Sequence, residues 1–335
     1  MLFVNKLPVF DLHCDLLSYL HEIPGANPAG INDIGASLFY LENGGVKLQV
    51  MAIYTDVRPG STKNAAAQGE LFNGLLRDYA GTLMHVKDNS SLEVAVQGEK
   101  TGIVAAVENA SGFCEEDEPL ESGFEKLEEL IRQTGKLLYI SMTHHTENRF
   151  GGGNYSEAGL KPDGEALLDY LHGRNIAIDL SHASDKLAEG IFRYIDKQKL
   201  KIQVLASHSN FRSVFDHKRN LPNELVREIV RRKGLIGMNF LRAFLNPEKP
   251  TALSDHILYG LKRGATDSLC FGADYYYTKD HPDKSRIPFY FREHENATRY
   301  KSILARLQAD GMSDEQLVKL SYENAYNFIS RLWKQ

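Results

Sequence analysis

Four histidines and three carboxylates stand where apolar runs of this chain give way to polar loops. His13 and Asp15 close VFDLHCD, Glu108 ends GIVAAVE, and His144 follows LLYISMT. His182 and His208 end IAIDLSH and VLASH, and Asp274 ends SLCFGAD. Imidazole nitrogens mixed with carboxylate oxygens are a donor set for divalent ions of the zinc kind. There are more donors than one tetrahedral ion takes, so two ions sharing a carboxylate fit the count. Ions ~3.5–4 Å apart would hold a bridging hydroxide and polarise a carbonyl or phosphoryl oxygen. Taken singly, each histidine is better explained as a hydrogen-bonded structural residue, and Asp274 after Gly272-Ala273 as a turn former. Their joint placement outweighs those explanations.

That placement depends on the elements. The organising stretch runs from Ile176 to Arg219, where two β-branched runs each end in Ser-His. Ser184 between them caps a helix whose apolar face is Leu187, Ile191, Phe192 and Ile195. This is a βαβ unit, and parallel strands joined this way bring both histidines to one mouth. Further strands are expected at Leu7–Asp11, Val46–Val57, Gly102–Asn109, Leu137–His145, Leu235–Phe240 and Ser268–Tyr275. Helical segments alternate with them: residues 64 to 98 are mostly helical, one helix is closed by Gly135, one opens at Asp163, and one is begun by Pro222. Two more, over 297–310 and 313–332, close the chain, the last with a Ser313-x-x-Gln316 capping pattern.

Eight strands alternating with helices in one series specify an α/β fold: a TIM-like (β/α)₈ barrel of parallel strands with extra C-terminal helices, one domain over residues 1–335. A doubly wound sheet is the rival, but no GxGxxG follows an early strand. In a barrel, all the strand-end residues face the C-terminal rim, where active sites of this fold lie. Cys14 should point away from His13 and Asp15 by alternation. His21, His85, His172, His256, His281 and His294 lack strand-end placement and read as surface or packing residues.

A net charge of −5 with no basic run excludes a nucleic-acid surface. No apolar stretch reaches the ~20 residues of a membrane span. The start, MLFVNKLPVFD, has no signal-peptide pattern, and three scattered cysteines (Cys14, Cys114, Cys270) give no disulfide framework. A cytoplasmic enzyme is expected.

The segments FDLHCDLL, GGVKLQVMAIY, AAVENASGF, YISMTHH, IDLSHAS, LASHSNFRSVFDHKRNLPNELVREI and FGADY occur in this order. Together they resemble the membrane (renal) dipeptidase family, metallopeptidase family M19 of the amidohydrolase superfamily, over nearly the whole chain. The resemblance implies a two-zinc (β/α)₈ dipeptidase. It implies His13 and Asp15 as ligands of one ion, His182 and His208 of the other, and Glu108 as the bridge. His144 matches the histidine that contacts the scissile carbonyl oxygen. Arg219 matches the arginine that holds the substrate carboxylate, and Asp274 the acid/base carboxylate of a Gly-x-Asp motif. This chain departs from the family in having Glu108-Asn109-Ala110 for Glu-Gly-Gly and Asp274-Tyr275-Tyr276-Tyr277 for Asp-Phe-Asp-Gly. It also has Glu323-Asn324 where a Gly-Asn pair is usual.

The expected activity is hydrolysis of dipeptides with a free C-terminal carboxylate by a metal-bridging hydroxide. A different amide hydrolysis, of an N-acyl amino acid or cyclic amide, is the alternative, and an inactive metal-binding protein is a third. The expected partners are a small dipeptide and a second copy in a homodimer, with neither nucleic acid nor a membrane anchor.

Overall fold

The computed structural model describes residues 3–31 and 33–334. Nine strands are present: β1 (Val9–Cys14), β2 (Val46–Tyr54), β3 (Leu83–His85), β4 (Thr101–Glu108), β5 (Leu137–Ser141), β6 (Ala177–Asp179), β7 (Val204–Ala206), β8 (Leu235–Met238) and β9 (Leu269–Phe271). All pair in parallel. Because β1 pairs with both β2 and β9, and β2 pairs with β4, eight strands close into a barrel with helices between them. The remaining strand, β3, pairs only with Thr101–Ile103 of β4, below the point where β5 joins at Ala105.

Alternation along the strands separates two layers. Val104 and Ala106 of β4 join Phe10, Leu12, Leu48 and Val50 in the barrel interior. Ile103, Ala105 and Val107 face the helices. Glu108 continues the inward parity of Val104 and Ala106, so strand register alone delivers its carboxylate to the mouth. In β1 the register against β2 slips between Asp11 and Cys14, as in a bulge. The extra residue turns Cys14 into the helix-facing layer, away from the donors, as expected from its neighbours. Phe328, Ile329 and Leu332 of the terminal helix Asn324–Leu332 pack into the interior cluster from the other end.

Local signals act as the sequence suggests at several ends. Ser184 accepts from Leu187 N at 3.0 Å and starts the helix Asp185–Gln198, whose Leu187 and Ile191 are fully buried. Burial of each such side chain contributes ~1.5–3 kcal/mol. Gly135 adopts φ 68 where a helix must end, and Ser313 and Gln316 form the reciprocal capping box.

Other expectations need correction. Residues 64 to 98 are mostly helical as expected, but they also hold the unexpected strand β3, flanked by the helices Ser61–Asp78 and Asn89–Gln97. The three-residue β3 is too short to show a period. The helix over 313–332 is interrupted by a π-helical turn, Lys319–Glu323. Pro222 is the residue before its helix, which begins at Asn223. The strands bearing the histidines are shorter than the apolar runs, since β6 ends at Asp179 and β5 at Ser141. Two short helices, Leu16–Glu22 and Leu38–Gly44, were not expected. No helix among the described residues is long and apolar enough to cross a membrane.

Candidate metal centre

Every donor singled out in the sequence reaches one end of the barrel. His13 lies in β1, Asp15 just after it, and Glu108 at the last position of β4. His144, His182, His208 and Asp274 follow the ends of β5, β6, β7 and β9. Glu108 is the centre of the group. Its Oε2 lies 3.4 Å from His13 Nε2, and its Oε1 lies 2.9 Å from His182 Nε2 and 3.4 Å from His208 Nε2. One carboxylate thus faces two donor sets: His13 and Asp15 through one oxygen, and His182 and His208 through the other. Each set, Glu108 included, has its donor atoms within 4.8 Å of one another.

Neighbouring hydroxyls fix which imidazole nitrogen is available. Tyr139 donates its hydroxyl proton to Leu12 O at 2.8 Å, so it accepts from His13 Nδ1 at 2.8 Å. Ser207 donates to Asp179 Oδ2 at 2.8 Å and accepts from His208 Nδ1 at 2.7 Å. Both rings then present the Nε2 lone pair toward the Glu108 carboxylate, an arrangement that is repulsive unless a cation lies between them. His13 Nε2 and Asp15 Oδ1 are buried without hydrogen-bond partners, which fits ligands prepared for an ion.

The electrostatics give the same sign. Burial would pull His13 down, but Glu108, Asp15 and Asp274 push it up to about 10. A positive charge is demanded at that spot, as a proton on His13 or as a metal ion, and a single proton serves only one of the two donor sets. His182 and His208 are held well below the usual range, first by burial and then by neighbouring positive groups, so they remain neutral ligands. Burial also keeps Glu108 from ionising easily, yet His13 and its other histidine neighbours hold it well below the ordinary carboxylate range. Asp274 is pushed up to about 6, first by burial; His13 works against this and Glu108 adds to it.

Asp274 has φ 62, a left-handed conformation, and Asn239 donates to its Oδ2 at 2.7 Å. Its Oδ1 points to His13 Nε2 at 3.8 Å. Asn109 also has positive φ, 76. Its side chain accepts from Ser111 N and donates to Thr55 O, offsetting the backbone cost locally. His144 lies tilted against His182 with ring centroids 4.1 Å apart, and burial with His145 nearby lowers it to about 3. Arg219 is 2% exposed and donates to the carbonyls of Ser181 and His208, while its Nε lacks a partner.

The mouth opens into a cavity of about 340 Å³ reached by Asp15, Glu108, His144, His182 and Asp274. That is the small end of ligand-pocket sizes, ~300–1,000 Å³. Sequence reasoning passed over His145, Tyr139, Ser207 and Asn239. His145 stood in view beside His144, and its ring lies 5.0 Å from that of His182. Ser207 stood in the Ser-His pair itself, whereas Tyr139 and Asn239 act across the barrel and carry no local sequence signal.

Barrel and donor set together define a (β/α)₈ protein whose mouth carries donors compatible with divalent metal. A sequence model of the membrane dipeptidase family (peptidase family M19) matches residues 2–335, and the chain belongs to that family. Dipeptidase tcpJ of Claviceps purpurea is 26% identical over 200 residues, 57% of this chain and 44% of that protein. An uncharacterised dipeptidase of Schizosaccharomyces pombe is 23% identical over 208 residues, 58% of this chain and 46% of that one. The matched stretch spans less than half the length of these relatives. Among solved structures, the M19 metallopeptidase dipeptidase AC superposes with a TM-score of 0.84 at 19% identity, covering 98% of this chain and all of that one (100%). A Rhodobacter sphaeroides metallopeptidase, liganded with a phosphinate mimic of the dipeptide L-Ala-D-Ala, has a TM-score of 0.83 at 19% identity, over 98% and 99% of the two chains. These structural likenesses show the shared fold.

Proposed function

We propose that the chain is a metal-dependent dipeptidase that cuts dipeptides bearing a free C-terminal carboxylate. One observation carries this conclusion: the two oxygens of Glu108 face two separate donor sets at the mouth of a dipeptide-sized cavity. His13 and Asp15 would hold one ion, His182 and His208 the other, with Glu108 between them. Two divalent ions held there, zinc by this donor set, would activate a water nucleophile near neutral pH and polarise the peptide carbonyl.

The chain's own groups do the rest. Asp274 uses Oδ1, the oxygen not tied to Asn239, to take the proton of the attacking oxygen and return it to the leaving nitrogen. His144, kept neutral by burial, retains one N–H to donate to the carbonyl oxygen as negative charge develops there. Arg219, buried behind the cavity-lining Phe244 with its Nε unpartnered, would supply the fixed positive charge that draws the terminal carboxylate. Leu241 and Phe244 close part of the cavity wall and help exclude water. The three cysteines are unpaired and buried, which suits the reducing cytoplasm.

The test is a substrate panel with metal-loaded protein: L-Ala-L-Ala, L-Ala-D-Ala (suggested by the Rhodobacter sphaeroides relative), their C-terminal amides, and N-acetyl amino acids. Cleavage of the free acids with sharply reduced cleavage of the amides is expected. Preferential cleavage of N-acetyl amino acids would move the assignment to a different amide hydrolase.

A further inference from the structure

The loop after Asp274 brings a second guanidinium to the cavity. Arg286 lines it, together with Tyr276 and His281 from the same loop. Arg149, Arg212 and Arg232, also partly buried, are tied to Asp163, Asp185 and Glu228, while Arg242 and Arg331, which lack a carboxylate, donate to backbone carbonyls and do not line the cavity. Arg286 has no carboxylate within ion-pair distance among the described residues, and its guanidinium rests over the Phe289 ring at 5.0 Å. An arginine held by an aromatic face, open to a cavity and without an anionic partner, is prepared to receive one from a ligand.

Its position indicates which part of the ligand. Phe289 belongs to one small apolar cluster with Leu241 and Phe244. Arg219 lies over Phe244, 5.2 Å from that ring. The two guanidiniums are therefore mounted on the same cluster. Tyr19, Glu22 and Ile23 of the helix Leu16–Glu22 and its end line the cavity as well. Glu22 would repel an acidic group placed beside it.

Resting on the dipeptidase reading above, we infer that Arg286 binds an acidic side chain on the C-terminal residue of the substrate, so that dipeptides ending in Glu or Asp are the favoured class. With the terminal carboxylate at Arg219, a side-chain carboxylate of the same residue is the group that can reach Arg286, while Leu241 and Phe244 pack against the methylenes between them. An acidic residue at the amino-terminal position gains nothing from Arg286 and approaches Glu22.

The isosteric pair Ala-Glu and Ala-Gln tests this, with Glu-Ala as the positional control and both hands of the second residue supplied. In the metal-loaded enzyme, kcat/KM for Ala-Glu should exceed that for Ala-Gln by ~10-fold or more, chiefly through KM, and that for Glu-Ala should fall below both. Arg286→Gln should bring the Ala-Glu to Ala-Gln ratio to about 1. Arg286→Lys should retain part of the preference, and Arg286→Glu should shift it toward Ala-Lys. Ala-Gln cleaved as well as Ala-Glu by the unaltered enzyme, or a preference that survives Arg286→Gln, overturns the inference while leaving the dipeptidase reading intact. Failure to cleave any of these dipeptides overturns both.

Discussion

Asn239 donates to one oxygen of Asp274 at 2.7 Å, which aims the other at His13 Nε2, 3.8 Å away. One carboxylate oxygen is thereby immobilised and the other is left for chemistry at the mouth of the barrel. Asp274→Asn should keep near-normal metal content and lose roughly 10²–10⁴-fold in kcat, the usual worth of a positioned acid/base. Asn239→Ala should cost less, ~10–100-fold, because the carboxylate stays but its aim is lost. Steady-state kinetics alongside elemental analysis check both. Full activity in Asp274→Asn with only a lowered melting temperature would make Asp274 a turn residue.

Glu108 contacts both donor sets, so its removal should not behave like removal of a terminal donor. Glu108→Ala is expected to weaken both ions, whereas His13→Ala should mainly release one. Ion stoichiometry after dialysis against a weak chelator separates the two variants. Loss of one ion from each would deny Glu108 its shared position.

The order of the barrel strands, and which polar residues follow each one, were legible in the sequence, because β-branched runs broken by polar residues mark a parallel strand and its loop. The convergence of His13, Glu108, His182 and His208 followed from that, as did the caps at Ser184 and Ser313. Support for the imidazoles was not legible. Tyr139 lies 126 residues from His13, and Asn239 lies 35 from Asp274, so barrel closure alone brings each pair together. The loop carrying Arg286 has no periodicity to read, and the bulge in β1 that separates His13 from Cys14 shows only in the pairing with β2.

Two glycines make room for the turn that carries His208. A Cβ at Gly237 or at Gly272 would lie 1.9 Å from Ser207 O, and one at Gly272 also 3.2 Å from the His208 Cα. Gly272→Ala should therefore cost ~1–3 kcal/mol in stability and weaken metal retention by displacing His208. Thermal unfolding and metal titration read the two effects. Unchanged values for both would mean the Ser207–His208 turn moves freely.

Acid stability should depend on histidines away from the site. His256 accepts from Phe211 N at Nδ1 and donates from Nε2 to Leu245 O, and burial lowers it to about 4. His294 is likewise buried and lowered to about 4. Their unfolded values lie near ~6.5. Between that value and the folded one, the unfolded chain binds more protons, so stability is full above the upper value and falls as pH drops through the window. The slope is up to about 1.4 kcal/mol per pH unit for each group. Urea midpoints across this range should show a shallower decline in His256→Gln than in the unaltered protein. Parallel declines would remove His256 from the account.

Dipeptide hydrolysis followed through metal removal and reconstitution tests the central claim most directly. Complete chelation should abolish hydrolysis of L-Ala-L-Ala, and zinc, cobalt or manganese should restore it, with full activity at about two ions per chain. Hydrolysis that persists in protein stripped of metal, or that is complete with one ion and unchanged by a second, would contradict a two-ion site centred on Glu108.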